Sequence, residues 1–390
     1  QSMVRLREMF FMVENRPFVK PFTRWLPASG RLFGSIILLF FHFVKSKNKN
    51  CFLGGNLNGI TSKLDYICSL GASAIWLSPF FKTESYHGYH ITDYKQIEPS
   101  FGTWNDLYEL INNAHNRGLK VIADFVPNHC HINHPFFQET IKNKNSKYRE
   151  WFYINKKNDY KAFLWYNILP KFNLENKDTA NYLLGIGTDL IKIGIDGLRI
   201  DHALGVPMSF LSNLRNRVHN VNPNATVFGE VWSFNIPRKY FNTLFFKNPI
   251  KRAFYTVFGI NQETIQRDYS GVLDGILDFE FHNIIINEIK TGNRIRNNKE
   301  LNKKLDCHFT FYKKHNLTPF LFLDNHDTDR FLFECKNDKS LMLEALELMR
   351  SYPYPHIIYY GTECYMANTT TIINAEDYAD LRVREPMKWE

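Results

Sequence analysis

Cysteine is scarce in this 390-residue chain: there are six, Cys51, Cys68, Cys130, Cys307, Cys335 and Cys364, with no CxxC pair and no zinc-ligand spacing. Such scatter excludes a zinc knuckle or a redox pair, and over this length it reads as buried thiols rather than a disulfide framework. Long apolar runs are few as well. The run from Leu32 to Phe41 falls far short of the ~20 residues that cross a bilayer. It also starts too late for a secretory signal and has no small-residue cleavage site behind it. It reads as the first strand of a sheet, and a cytoplasmic location without a membrane partner is expected by default. A stripe of one charge sign is missing too: 48 Lys and Arg against 39 Asp and Glu leave +9, with the basic residues dispersed among Asn and Asp. That pattern describes a solvated surface and argues against a nucleic-acid partner. Internal repeats and low-complexity tracts are absent.

What the chain has in quantity is apolar and aromatic material, 44% hydrophobic residues with 34 Phe and 20 Tyr. This suffices for a large core, which must absorb most of the rings. Strand-like and helix-like segments alternate. Ala74 to Leu77, Lys120 to Phe125, Gly197 to Ile200, Ala225 to Gly229, Gly275 to Phe281, Thr318 to Leu323 and His356 to Tyr360 read as strands. Residues 65–70, 104–117, 176–193 and 207–220 read as helices. The alternation predicts a parallel sheet with right-handed crossovers. Between His129 and Asn173 it breaks into a polar segment punctuated by Phe136, Phe137, Trp151, Phe152, Phe163 and Trp165. That is too long for a structureless loop, so a small inserted subdomain is expected. Residues 1–31 carry no assignable pattern beyond a short amphipathic stretch from Val4 to Val13.

Three strands end on acids. Gly197-Leu198-Arg199-Ile200-Asp201, Phe228-Gly229-Glu230-Val231-Trp232 and Phe322-Leu323-Asp324-Asn325-His326-Asp327 each deliver a carboxylate at the end of a short apolar run. Taken singly, each acid would be a helix N-cap or a solvated loop charge. Taken jointly, they suggest a site at the top of a parallel sheet, with Arg199 on the same side of its strand as Asp201. Nucleophile, proton donor and electrostatic stabiliser form the set that cleaving a glycosidic bond with retention demands.

Other motifs extend this pattern: Gly71-Ala72-Ser73-Ala74-Ile75-Trp76-Leu77-Ser78-Pro79, Asp124-Phe125-Val126-Pro127-Asn128-His129, Leu169-Pro170-Lys171-Phe172-Asn173 and Tyr359-Tyr360-Gly361-Thr362-Glu363. With the three acid segments, the chain from about Phe52 to Trp389 resembles the α-amylase family, glycoside hydrolase family 13, whose seven short regions occur in this order. The Leu-Pro-Lys-Phe-Asn segment is similar to the version in the neopullulanase and cyclomaltodextrinase branch. The resemblance implies an α/β fold, a (β/α)8 TIM barrel made of residues 32–129 and 174–390. A subdomain of residues 130–173 would be inserted after strand 3 as one wall of the cleft. Arg384-Glu385-Pro386-Met387-Lys388-Trp389 is similar to a family segment between the eighth strand and the eighth helix. The eighth helix and the carboxy-terminal β-sandwich are therefore expected to be missing, leaving strand eight uncovered unless residues 1–31 fold across it.

By the same resemblance, Asp201 is the nucleophile, Glu230 the acid/base and Asp327 the group that grips sugar hydroxyls. Arg199 should keep Asp201 ionised, while like charge and partial burial raise Glu230. Tyr89 would stack on the sugar at the cleavage point, His129 and His326 would bind its hydroxyls, Trp232 would contact substrate, and Arg330 would orient Asp327. Asn128 matches a calcium ligand of many amylases, so calcium is one expectation, although a single amide oxygen is far from the six to eight that calcium takes. No other cofactor is required. His202-Ala203-Leu204-Gly205 departs from the Lys and His that many amylases carry at the last two positions, which predicts a weak grip beyond the cleaved bond. The implied activity is retaining hydrolysis of α-1,4 and also α-1,6 glucosidic bonds in maltooligosaccharides or α-glucans. A 4-α-glucanotransferase or glucosyl isomerase on the same scaffold is the alternative, a non-catalytic glycan-binding protein the third reading, and the oligomeric state is left open.

Overall fold

Eight short strands pair in parallel, and the last closes on the first. They are β1 (Ser35–Leu39), β2 (Ala74–Leu77), β3 (Lys120–Phe125), β4 (Gly197–Ile200), β5 (Thr226–Gly229), β6 (Gly275–Leu277), β7 (Thr318–Phe322) and β8 (His356–Tyr359). The computed structural model describes residues 35–39, 55–233, 236–373, 375 and 378–387. Within it, β1 pairs with both β2 and β8, so the sheet is a closed barrel.

The strands are β-branched or aromatic, and their side chains alternate between two apolar environments. Ile36, Ala74, Trp76, Ile122, Phe228, Leu277, Phe320, Phe322, Ile357 and Tyr359 form one buried cluster inside the barrel. Rings dominate it: Phe228 stacks on Phe320 at 4.2 Å between centroids and meets Trp76 edge-on at 6.0 Å. Their outward neighbours, including Ile75, Leu77, Val121, Ala123, Leu198, Val227, Ile276 and Leu321, belong to a second cluster shared with the surrounding helices.

Helices Trp104–His115, Lys177–Lys192 and Met208–Val221 follow β2, β3 and β4 as expected, the first capped reciprocally by Thr103 and Asp106. One strand assignment is corrected. β6 ends at Leu277 instead of running to Phe281, because Asp278 accepts the Phe281 amide and starts the helix Phe279–Lys290. Among the described residues no α-helix follows β8, only the 3-10 turns Thr362–Cys364 and Ala379–Arg382. The suggested cover by residues 1–31 falls outside the described residues. Among the described residues, no helix is long and apolar enough to cross a membrane.

Three excursions rise from the carboxyl ends of the strands. After β2 comes an antiparallel pair, Phe81–Thr83 with Ile91–Ile97, whose connection carries Tyr89. Gly88 is required there: its φ is +86°, and an added Cβ would stand 2.2 Å from the Pro79 carbonyl oxygen. After β3 the chain forms the helix Pro135–Lys142 and the hairpin Ala162–Phe163 with Tyr166–Pro170, with Phe137, Phe152 and Phe172 buried between them. After β5, the turn Arg238–Thr243 and helices Pro249–Phe258 and Gln262–Arg267 make an excursion that no sequence pattern had indicated.

Candidate active site

Strand register brings the acids together. Asp124 on β3 is the Cα partner of Arg199 on β4, which is in turn the partner of Phe228 on β5. Asp201 lies two residues past Arg199, and Glu230 two past Phe228, so the period of two points all of them toward the barrel axis at its carboxyl end. Arg199 is fully buried. Its Nη1 donates to Asp124 at 2.8 and 3.0 Å and to Asp201 at 2.9 Å. Its Nη2 stands 2.7 Å from Glu230 Oε1, a close ion pair without hydrogen-bond alignment. The other Glu230 oxygen accepts the His202 amide at 2.9 Å, from a backbone turned into the left-handed region (φ 40°).

Burial pushes Asp124, Asp201 and Glu230 above the usual carboxylate range, and the Arg199 guanidinium only partly offsets it. One guanidinium faces all three buried carboxylates, and burial outweighs it at each. This corrects the expectation that Arg199 alone keeps Asp201 low while Glu230 rises. Both rise, because desolvation outweighs a guanidinium shared three ways.

Asp327 sits across the cleft mouth with half its side chain exposed. Burial of its surroundings would raise it, but His326, with Nε2 at 3.1 Å, and Arg384, with Nη2 at 2.7 Å, prevail and hold its carboxyl well below the usual range. Arg330 does not orient this acid as expected. It is buried against the Tyr359 and Tyr360 rings at 4.0 and 4.7 Å, and its guanidinium binds the Tyr360 carbonyl. The orienting cation is Arg384, which also donates to the His326 carbonyl at 2.9 Å.

The remaining expected residues line this pocket. The Tyr89 hydroxyl donates to Asp124 at 2.9 Å and meets His326 Nε2 at 2.8 Å, with the two rings stacked at 5.7 Å. His129 stacks on Phe163 at 4.9 Å, and burial pushes its imidazole down to about 3, so it is neutral. Trp232 meets His202 at 5.9 Å, and His202 meets Phe163 at 4.6 Å. From Phe163 the aromatic wall continues through Tyr166 and Trp165 to Tyr240, at successive centroid distances of 5.7, 5.5 and 5.8 Å. Leu204 and Gly205 are buried. They offer the cleft no side chain.

Asn128 does not fit a calcium ligand here. Its side-chain oxygen is taken by the ammonium of Lys171, which also binds the Gly205 carbonyl. Among the described residues no group of three or more His, Cys, Asp and Glu side chains converges as a metal site.

A closed parallel barrel thus gathers Asp201, Glu230 and Asp327 at its carboxyl end. The chain belongs to the α-amylase family: the model described as "Alpha amylase, catalytic domain" matches residues 38–390. It is 36% identical over 345 residues to alpha-amylase 2 of Dictyoglomus thermophilum, covering 88% of this chain and 56% of that protein. Against neopullulanase 2 of Thermoactinomyces vulgaris the identity is 28% over 355 residues, covering 87% and 53%. Among solved structures, an α-amylase from Geobacillus thermoleovorans complexed with acarbose aligns with a TM-score of 0.66 at 30% identity, covering 87% of this chain and 72% of that one. The chain spans about half the length of the curated relatives it matches.

Sequence reasoning missed Asp124, Arg384, Lys171 and Phe163 as site residues. Asp124 and Lys171 stand inside motifs that had been singled out, and Arg384 opens the last one. Each was readable by position, but its partner was not.

Proposed function

We propose that this chain is a retaining α-glucan-active glycosidase that cleaves α-1,4 and also α-1,6 glucosidic bonds in maltooligosaccharides. One observation carries the reading: Asp201 and Glu230 face the barrel axis on a single guanidinium, with Asp327 beside them. In the first step Glu230, in its protonated form, gives its proton to the leaving oxygen as Asp201 attacks the anomeric carbon, giving a glycosyl-enzyme ester. In the second, Glu230 takes a proton from water, which displaces Asp201. Asp327, kept ionised by Arg384 and His326, accepts hydrogen bonds from sugar hydroxyls, and Tyr89 offers its ring as a platform for that sugar. Residues 130–173 form one wall of the cleft. No organic cofactor enters these steps. Relatives named as intracellular maltogenic amylases of Bacillus subtilis favour action in the cytoplasm.

The aromatic wall from Phe163 to Tyr240 favours a second reading, transfer of the glycosyl group to a sugar held on those rings. Products from maltotriose separate the two. Hydrolysis gives glucose and maltose alone, and transfer gives longer oligomers. Asp201→Asn should lower kcat by at least about 10³-fold in either case, with the unfolding temperature preserved. A variant that keeps its activity would sink the assignment of Asp201.

A further inference from the structure

Lys171 is an unusual residue to find where it is. Only 2% exposed, it lies just past the hairpin strand Tyr166–Pro170, and its ammonium is directed at the Asn128 side-chain oxygen and the Gly205 carbonyl. The Phe245 ring lies 5.3 Å away on a third side. These contacts come from four separate stretches: the end of β3, the inserted segment, the turn after β4 and the excursion after β5. Further backbone contacts join the same stretches. The Phe172 amide donates to the Asn128 carbonyl at 3.0 Å, and the Phe245 amide to the Leu204 carbonyl at 2.9 Å.

Both acceptors are neutral oxygens, and two are far too few for calcium, which takes six to eight and favours carboxylates. An ammonium suits the place better, because it brings its own charge, needs few acceptors and turns its remaining face to an aromatic ring. Space is already used up. A Cβ on Gly205 would stand 2.6 Å from Asn128 Oδ1 and 2.4 Å from His202 Cδ2. His202 in turn donates its amide to Glu230, so the strap bears on the placement of the catalytic acid.

We propose that Lys171 is a tethered cation that takes the place of a divalent ion between Asn128 and the Gly205 carbonyl, so that the cleft wall is held without a bound metal. Lys171 is a positioning residue in this role and touches no substrate. The inference stands apart from the α-glucan reading, since its readout is unfolding.

Burial pushes the Lys171 ammonium down to about 7, so the test is run at pH 6, where it is charged. Thermal unfolding of the whole chain is followed in EGTA and in millimolar calcium chloride. The unsubstituted protein should unfold at the same temperature in both. Lys171→Met, which leaves two buried oxygens without a donor, should unfold about 2–6 °C lower in both. Lys171→Asp should be the least stable in EGTA and should recover in calcium, because it supplies the missing anionic oxygens. A calcium-dependent Tm in the unsubstituted protein would overturn the proposal, as would an unchanged Tm for Lys171→Met, or a folded Lys171→Asp protein that ignores calcium. If Lys171→Asp fails to fold, the first two comparisons decide.

Discussion

At Arg199 three buried acids meet one cation, and the one that serves as proton donor should set the upper pH limit of activity. Burial raises Asp201 most, and the like charges of Glu230 and Asp124 raise it further against the Arg199 guanidinium. Asp124→Asn removes one of the three charges, so the remaining pair should release its proton more readily and the alkaline limb of kcat/KM should move to lower pH. A pH profile with that limb unmoved would show that the acids do not titrate together. Asp327 behaves in the opposite sense. Its folded value is depressed, so its anion survives into acid and is lost only as pH falls through that low value. Arg384→Met removes a cation that lowers and orients it, so sugar binding should weaken and KM for maltotriose should rise. Arg330→Met should leave KM in place and lower Tm. Asp201 and Glu230 were legible because each ends an apolar run, and Asp327 because it follows one by a few residues. Arg384 was not, since its pairing with Asp327 spans 57 residues of chain and depends on how the segment after β8 folds back.

Helices Lys299–Lys314 and Lys339–Ser351 went unread, but the elements that were read matched to within about three residues, because burial imposes the same period of two or 3.6 that the sequence shows. β6 was the exception. Its apolar run continues into the next helix, and the capping Asp278 between them looks like a polar strand residue. Asp278 is a structural acid as well as a cap: it accepts the Phe281 amide at 3.1 Å, Gln266 at 3.1 Å and His308 Nε2 at 2.8 Å, and it is fully buried. Asp278→Ala should destabilise by about 2–4 kcal/mol, since a cap is lost and buried donors are orphaned. Urea unfolding measures it, and a loss below about 1 kcal/mol would mean that water or repacking satisfies those donors. The excursion after β5 was illegible for a different reason. Exposed Ile250, Val257 and Phe258 on its helix Pro249–Phe258 blur the polar and apolar faces that mark a surface helix.

At the scale of the whole molecule, the barrel closes by pairing β1 with β8, and the active acids depend on that closure because strand register aims them at one axis. Fold class and motif order were legible since they are carried by local patterns. The three acids gathered on Arg199 and the contacts of Lys171 were not, because each joins segments far apart in sequence. The central claim is a double displacement at Asp201, and the anomeric configuration of the first-formed product tests it directly. Proton NMR of an early maltotriose digest, read before mutarotation, should show new reducing ends in the α configuration. New ends in the β configuration would mean a single displacement by water, and would contradict the nucleophile assigned here.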